Sequence, residues 1–135
     1  MHVKILIMAD MEGASGLDDY MTFGDVSSPA YEKGRLFMTE DVNAAIFGLK
    51  KGGATEIHVI DGHGNGQPPN LIHNKIVSGA KILGGAWSLI EMTRTKASME
   101  SYDALVLLCQ HSMAGTLDGF LSHSNTRSTA LRING

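Results

Sequence analysis

"IMADMEG", Ile7 to Gly13, joins the end of an apolar run to two carboxylates that a single methionine separates. The run from Val3 to Ala9 is rich in β-branched and aliphatic residues, which is typical of a strand covered on both faces in a parallel sheet. Because residues i and i+2 of an extended backbone point to one side, we expect the side chains of Asp10 and Glu12 to face one cleft.

Two later segments repeat this pattern of an apolar run that stops at polar side chains. Thr55 to Asp61, "TEIHVID", leads to His63, and Tyr102 to His111, "YDALVLLCQH", ends on a histidine. We interpret both segments as buried strands. In open parallel sheets the ligand crevice lies just beyond the carboxyl ends of the strands, so the polar residues that follow these three strands are expected to converge.

A helix is predicted between the first two strands. Apolar residues recur near helical spacing from Tyr31 to about Lys51, Ser28-Pro29 provides a start signal and Gly52-Gly53 a stop. The strand-helix-strand order implies a right-handed parallel crossover. The predicted fold class is therefore α/β, with three layers in which helices flank a mostly parallel sheet. Two weaker elements are a short strand around Ile76 or Ile82 and a helix from about Ser88 to Lys96.

Length and composition predict a single α/β domain over residues 1–135. The chain has a mass of 14.4 kDa, and its 43% hydrophobic and 19% charged residues are those of a globular protein. A net charge of -3 argues against nucleic acid and anionic membranes as partners. No apolar run approaches the roughly 20 residues that span a bilayer, and the N-terminus does not resemble a signal peptide. With the single cysteine, Cys109, these features predict a cytoplasmic protein.

The polar residues beyond the strands are of types that bind metal ions. We expect two pairs of side chains to face one cleft, namely Asp10 with Glu12 and Asp61 with His63. Two carboxylates crowded at low dielectric repel each other, so a cation is needed between them. Mixed carboxylate and imidazole ligands suit zinc or a similar transition ion, whereas magnesium prefers oxygen ligands. The candidate ligands at these strand ends are Asp10, Glu12, His63 and His111, and a carboxylate that bridges two ions is compatible with them.

The remaining histidines and the cysteine are assigned from their surroundings in the sequence. His123 stands between two serines in "GFLSHSNTRS", where it could act as a base, a nucleophile or an oxyanion stabiliser. His2 is terminal, His58 alternates within a strand, and His73 falls in a surface segment, so all three are interpreted as structural. Cys109 is interpreted as a small core residue.

Three functional hypotheses are compatible with these residues. The leading hypothesis is metal-dependent peptide hydrolysis at the strand ends. The second is a metal-dependent phosphoesterase, because pairs of acids at strand ends also hold magnesium in phosphoryl-transfer sites, although the two histidines argue against it. The third is a non-enzymatic domain that binds metal or forms oligomers.

Five motifs connect the chain to a known family. In sequence order, "ADMEGASG", "YEKGRLFMTEDVNA", "DGHGNG", "LCQHSMAG" and "GFLSHSN" resemble those of the zinc-dependent D-aminopeptidases, the self-compartmentalising peptidases linked to dipeptide-transport operons. The match runs along essentially the whole chain. The family removes the N-terminal residue from short peptides, with a preference for D-amino acids. The resemblance therefore implies a short peptide as substrate and a homo-oligomer of stacked rings, which is a decamer in the family.

The resemblance also implies roles for individual residues. Carried over by position, Asp10, Glu12, His63 and His111 are implied to be zinc ligands, with two ions per site in the complete family fold and Asp10 as the bridge. His123 is implied to be the catalytic nucleophile or base. Family members carry a further glutamate ligand shortly after the point where this sequence stops, so we expect the chain to be the N-terminal part of a longer fold. That missing ligand is the support for the third hypothesis, an inactive truncated domain. A supporting role is implied for three helix residues, Arg35, Glu40 and Asn43.

Overall fold

The computed structural model describes residues 1–19, 23, 25–63, 69–85 and 100–123 of the chain. In chain order the elements are β1 (Lys4–Ala9), α1 (Pro29–Lys51), β2 (Glu56–Asp61), a 3-10 helix (His73–Lys75), β3 (Lys81–Gly84) and β4 (Ala104–Leu108). The three strong strands predicted from the sequence are present, and the weaker strand forms around Ile82 rather than Ile76. The helix predicted from about Ser88 to Lys96 lies outside the described residues. Within the described ranges, no helix has the length and apolar character needed to cross a membrane.

The four strands form one parallel sheet in the order β3-β2-β1-β4, which confirms the predicted α/β class. In this sheet Ile7 of β1 lies beside Val59 of β2 on one side and beside Val106 of β4 on the other. The chain runs outward from β1 through β2 to β3 and then returns to the opposite side of β1. The strand order therefore reverses between β1 and β4, and such a switch point opens a crevice at the carboxyl ends of the two strands.

Helix α1 begins and ends at the predicted signals. The Ser28 hydroxyl accepts a hydrogen bond from the backbone N–H of Tyr31 at 3.1 Å, and Pro29 occupies the first turn, where its missing N–H leaves no bond unmade. The helix is capped at Gly52, and Gly53 follows with a φ of +100°. Glycine adopts this left-handed conformation without the steric cost that a side chain would add.

The core lies between one face of α1 and one face of the sheet. Met38, Val42 and Ile46 of the helix are fully buried. They pack against alternate side chains of the two central strands, namely Ile7, Ala9, Ile57 and Val59. Because strand side chains alternate, the residues between these four point to the opposite face of the sheet. Because the helix runs back along the sheet between two parallel strands, this packing places the N-terminal half of α1 next to the carboxyl ends of β1 and β2.

Strand β4 differs from the prediction that it is buried on both faces. Val106 and Leu108 pack against the core, but Leu105 and Leu107 are 47% and 58% exposed. These two leucines point to the sheet face opposite α1, because side chains alternate along a strand. Among the described strands β4 stands at the margin of the sheet and pairs only with β1. An apolar run in the sequence gives no information about this marginal position, so the prediction was wrong for one face of β4.

Replacing Leu6 with alanine should lower the free energy of unfolding by about 2–5 kcal/mol, because a fully buried side chain is removed and a cavity is left. The same change at Leu107, which is mostly exposed on the same sheet face, should cost less than about 1 kcal/mol. Chemical denaturation followed by circular dichroism measures both values. Equal losses would contradict the exposed face assigned to β4.

Candidate metal centre

The chain that follows β1 is held against the end of β4. The backbone N–H of Asp10 donates to the carbonyl of Leu108 at 2.9 Å, and that of Gly13 donates to the carbonyl of Cys109 at 2.9 Å. The segment with the two acids therefore continues alongside β4 beyond the end of β1. Its carboxylates leave the sheet at the switch point, where a ligand crevice is expected.

Two glycines allow the loops around these acids to approach each other closely. A Cβ on Gly13 would lie 2.5 Å from the carbonyl oxygen of Gln110, and one on Gly62 would lie 2.9 Å from that of Ala9, both too short for a real contact. The backbone N–H of Gly62 also donates to the Ala9 carbonyl at 2.6 Å. The chain after β2 therefore lies directly against the end of β1, and this contact brings His63 to the carboxylates.

Three of the predicted ligands meet in one buried cluster. His63 Nδ1 lies 3.1 Å from Asp10 Oδ1 and 3.0 Å from Glu12 Oε2. The three side chains are at most 10% exposed. One ligand atom from each residue lies within 4.8 Å of the other two, a spacing that suits a single cation held by two carboxylates and an imidazole.

The cluster is arranged to hold positive charge between its acids. Burial favours the neutral imidazole of His63, but hydrogen bonds to Asp10 and Glu12 outweigh burial and raise the pKa of His63 to about 9. Burial likewise opposes ionisation of Asp10, yet its hydrogen bonds, foremost the one with His63, lower the pKa of Asp10 to about 2. Without a bound cation, protonated His63 therefore balances the charge that a metal ion would otherwise balance.

His111 lies beside this cluster, just beyond β4. Its Nε2 is 3.6 Å from Asp10 Oδ2, and its Nδ1 is 2.8 Å from the carbonyl oxygen of Ser112. Because a carbonyl only accepts hydrogen bonds, Nδ1 carries a proton, and Nε2 is the ring nitrogen that faces Asp10. Histidines that bind metals commonly donate their other ring N–H in this way. The structure thus places His111 beside the cluster of Asp10, Glu12 and His63, with one ring nitrogen facing Asp10.

His123 returns to the same place through a turn-rich segment. Its backbone N–H donates to the Ser112 carbonyl at 3.1 Å, and its ring stacks on that of His111 with 3.5 Å between centroids. Its Nδ1 donates to the carbonyl of Leu121 at 2.6 Å, while Nε2 lies 3.9 Å from Glu12 Oε1. The side chain is 48% exposed. The Nε2 atom is therefore accessible both to the cluster and to solvent.

Asp61 does not join the cluster, so the prediction that it forms a second pair with His63 is wrong. Its Oδ2 accepts hydrogen bonds from the backbone N–H groups of Asn70 and Leu71 at 2.8 and 3.0 Å, and its Oδ1 accepts one from Asn70 Nδ2 at 3.0 Å. The rule for residues i and i+2 holds only in extended backbone. Because β2 ends at Asp61 and the chain turns at Gly62, the rule does not extend to His63, which joins the cluster while Asp61 binds Asn70 and Leu71.

Cys109 and Asp41 connect two loops of the site to α1. Asp41 Oδ2 accepts hydrogen bonds from the backbone N–H of Ser15 at 2.7 Å and from Cys109 Sγ at 3.3 Å. Burial, together with the Asp41 carboxylate, raises the pKa of Cys109 to about 12, so the thiol stays protonated. Cys109 also has a φ of +56°, an uncommon value that bends the chain between β4 and His111. These contacts agree with a structural role rather than a ligand role for the cysteine.

The other residues singled out in the sequence lie around the site or away from it. His58 Nδ1 lies 2.7 Å from the Tyr102 hydroxyl and its Nε2 lies 2.8 Å from Glu56 Oε1. These contacts agree with a structural role for His58. His2 also pairs with Glu56, at 3.2 Å, and His73 is exposed, as expected for a surface segment.

Two of the three helix residues with an implied supporting role contact the segment after β2. Arg35 Nε donates to the carbonyl of Asn70 at 3.2 Å. The side-chain amide of Asn43 donates to the carbonyl of Lys75 at 2.9 Å and accepts a hydrogen bond from the backbone N–H of Val77 at 2.9 Å. Glu40 is exposed on the helix. Arg35 and Asn43 thus fasten the chain after β2 to α1.

Three neighbours of His63 were not identified from the sequence. The rings of Phe23 and Tyr31 lie 5.9 and 6.4 Å from the His63 ring, and Asn70 Nδ2 donates to the His63 carbonyl at 3.2 Å. The only local signal for Asn70 is its place after two prolines, which is typical of a turn. Tyr31 resembles an ordinary residue of a first helical turn.

A cavity of about 150 Å3 opens beside the cluster at the carboxyl ends of β2 and β3. Its lining residues are Asp61, His63, Pro69, His73, Gly84 and Gly85. The two glycines have no side chains to fill the cavity, which leaves room next to the imidazole of His63.

Known proteins with a similar sequence or fold point to one family. The sequence model of a peptidase family, M55, described as D-aminopeptidase, matches residues 3–135. A D-aminopeptidase of Bacillus subtilis (strain 168) is 34% identical over 122 residues, which are 90% of this chain and 42% of the relative. The solved structure of the Zn-dependent D-aminopeptidase DppA from Bacillus subtilis, a self-compartmentalizing protease, gives a TM-score of 0.73 at 33% identity and covers 92% of this chain and 43% of that one. The chain spans less than half the length of the relatives it matches.

Replacing Gly13 with alanine should separate the loop that carries the two acids from Gln110, because the added Cβ has no space. Zinc affinity should fall by roughly tenfold or more, as it does when groups that orient metal ligands are changed. Gly48→Ala is the matched control, since a Cβ there meets nothing within 4 Å. Competition with a chromophoric chelator measures both affinities. Unchanged zinc binding by the Gly13 variant would contradict the argument from close approach.

Proposed function

The chain belongs to the D-aminopeptidase family of peptidases, and we propose that it supplies the zinc site of an enzyme that releases N-terminal D-amino acids from short peptides. The observation that carries this proposal is the buried cluster of Asp10, Glu12 and His63 at the switch point of the sheet. The relatives support the rest of it: one is named a D-aminopeptidase, and the solved one is Zn-dependent. Because the chain covers less than half of either relative, the activity is proposed for the complete protein.

The donor set fits zinc better than it fits magnesium. Two imidazoles and two carboxylates are ligands that zinc accepts, whereas magnesium favours an all-oxygen shell with several waters. We assign the zinc ligands as Asp10, Glu12, His63 and His111. The two oxygens of Asp10 face different partners, since Oδ1 lies 3.1 Å from His63 Nδ1 and Oδ2 lies 3.6 Å from His111 Nε2. This divergence supports Asp10 as a bridge between two ions in the complete family fold.

Proton transfer in this proposal is the task of His123. When bound, zinc supplies Lewis-acid chemistry that polarises a peptide carbonyl and makes water acidic near neutral pH. The Nδ1–H of His123 is committed to the carbonyl of Leu121, so Nε2 is the nitrogen that can take a proton from the attacking group and return it to the leaving amine. Half of the side chain is open to solvent, which gives a peptide access to Nε2.

We also propose a homo-oligomer of stacked rings, with the decameric size that the family resemblance implies, in the cytoplasm. The solved relative is a self-compartmentalizing protease, which supports an assembled form. The segment that carries His123 exposes three apolar side chains, namely Met113, Leu117 and Phe120. Exposed apolar groups close together in the chain are a common feature of surfaces that other subunits cover.

The zinc-loaded protein should release D-alanine from D-Ala-D-Ala and should act more slowly on the L,L-dipeptide. Removing zinc with a chelator should abolish turnover, and adding zinc should restore it, because the cation that the buried acids hold is the group that polarises the carbonyl. A coupled assay with D-amino-acid oxidase measures the product. Magnesium-dependent cleavage of p-nitrophenyl phosphate without peptide cleavage would instead favour the phosphoesterase.

Replacing His123 with alanine should lower kcat by about 10²- to 10⁴-fold, the usual contribution of a general base, while bound zinc measured by atomic emission stays the same. His2→Ala is the control, because that histidine pairs with Glu56 near the N-terminus of the chain. Turnover by the His123 variant at the rate of the unsubstituted protein would show that another group moves the proton.

A further inference from the structure

Asn70 is a fully buried polar residue that joins three parts of the fold. Its side-chain Nδ2 donates to Asp61 Oδ1 at 3.0 Å and to the backbone carbonyl of His63 at 3.2 Å. Its Oδ1 accepts a hydrogen bond from the Tyr31 hydroxyl at 2.5 Å, and its backbone carbonyl accepts one from Arg35 Nε at 3.2 Å. One amide thus connects α1, the end of β2 and the backbone of a candidate zinc ligand.

The hydrogen-bond partners determine which way the amide group points. Nδ2 faces a carboxylate and a carbonyl, which both only accept hydrogen bonds, so the amide nitrogen must be on that side. Oδ1 must then accept from Tyr31, and this requires a protonated phenol. Burial, with the nearby carboxylates of Asp61 and Glu12, raises the pKa of Tyr31 to about 12, so the hydroxyl remains a donor.

The backbone of His63 is therefore held from both sides. On one side Gly62 donates its N–H to the carbonyl of Ala9 at 2.6 Å, and on the other Asn70 donates to the carbonyl of His63. The Asp61 carboxylate keeps Asn70 in place, because it accepts from both the backbone and the side chain of Asn70. Asp61, His63 and Asn70 are all buried, so removing one partner leaves the polar groups of the others unsatisfied.

We propose that Asn70 is a positioning residue that holds His63 in the orientation needed to bind zinc, and that Tyr31 acts with it by fixing its amide. This inference rests on the proposed function, because it assigns Asn70 a role at the same zinc site. Neither residue touches the metal ligand atoms. Their effect passes through the backbone of His63, as expected of groups that orient metal ligands from outside the coordination shell.

The chain offers a matched pair of variants for the test. Tyr31→Phe removes the hydroxyl that contacts Asn70, and Tyr102→Phe removes a hydroxyl that lies 2.7 Å from His58 Nδ1. Both delete one phenol oxygen from one hydrogen bond, so both should lower the thermal stability of the protein. Only the first should affect the zinc site.

Zinc affinity, measured by competition with a chromophoric chelator, should fall by about 10- to 100-fold in Asn70→Ala, the range typical of groups that orient metal ligands. Tyr31→Phe should lose less than Asn70→Ala, and Tyr102→Phe should match the unsubstituted protein. Full zinc affinity in a folded Asn70 variant would overturn the inference. Equal losses of zinc affinity in the two tyrosine variants would also overturn it. This comparison tests the inference even if Asn70→Ala does not fold.

A second readout separates this inference from the proposed function. The imidazole resonances of His63 in nitrogen NMR spectra, recorded with chelator present, should shift in Tyr31→Phe and stay unchanged in Tyr102→Phe. If the unsubstituted protein binds no zinc but this pattern is observed, the proposed function fails and the positioning of His63 by Asn70 stands. If zinc binds normally and the His63 resonances are the same in both variants, the positioning role is wrong.

Discussion

Two buried carboxylates at the end of a central strand are the constraint on which the rest of this structure depends. Asp10 and Glu12 are only 7% and 9% exposed, so water cannot solvate their charges well. Each therefore needs a positive or hydrogen-bonding partner inside the protein. His63 meets both acids, and the Nε2 atoms of His111 and His123 lie 3.6 and 3.9 Å from their outer oxygens, where a cation could be shared between them. The need to balance this charge explains why polar residues from three strand ends gather at one edge of the sheet.

The strand order of the sheet and two glycines near the strand ends bring the polar residues to these carboxylates. The order reverses between β1 and β4, so the residues that follow these neighbouring strands face one crevice. Gly13 and Gly62 then let the loops after β4 and β2 lie directly against the end of β1. Cys109 and Asn70, each hydrogen-bonded to a side chain of α1, fix two of the loops to the helix.

The strand ends and the polar side chains that follow them could be predicted from the sequence because both are local patterns. An apolar run that stops at "DMEG" or before a histidine indicates a strand and its functional end. The direction of His63 relative to Asp61 could not be predicted, because it depends on the turn at Gly62. The role of Asn70 could not be predicted either, since its contact with Tyr31 joins residues 39 positions apart. The exposure of Leu107 reflects the position of β4 in the sheet, which an apolar run does not encode.

Anomalous diffraction from crystals soaked in zinc, recorded on both sides of the zinc absorption edge, shows whether a zinc ion binds between the two buried acids. We expect an anomalous peak in contact with carboxylate oxygens of Asp10 and Glu12 and with the imidazole of His63. A peak bound only at surface histidines, or no peak at this cluster when zinc is saturating, would contradict it.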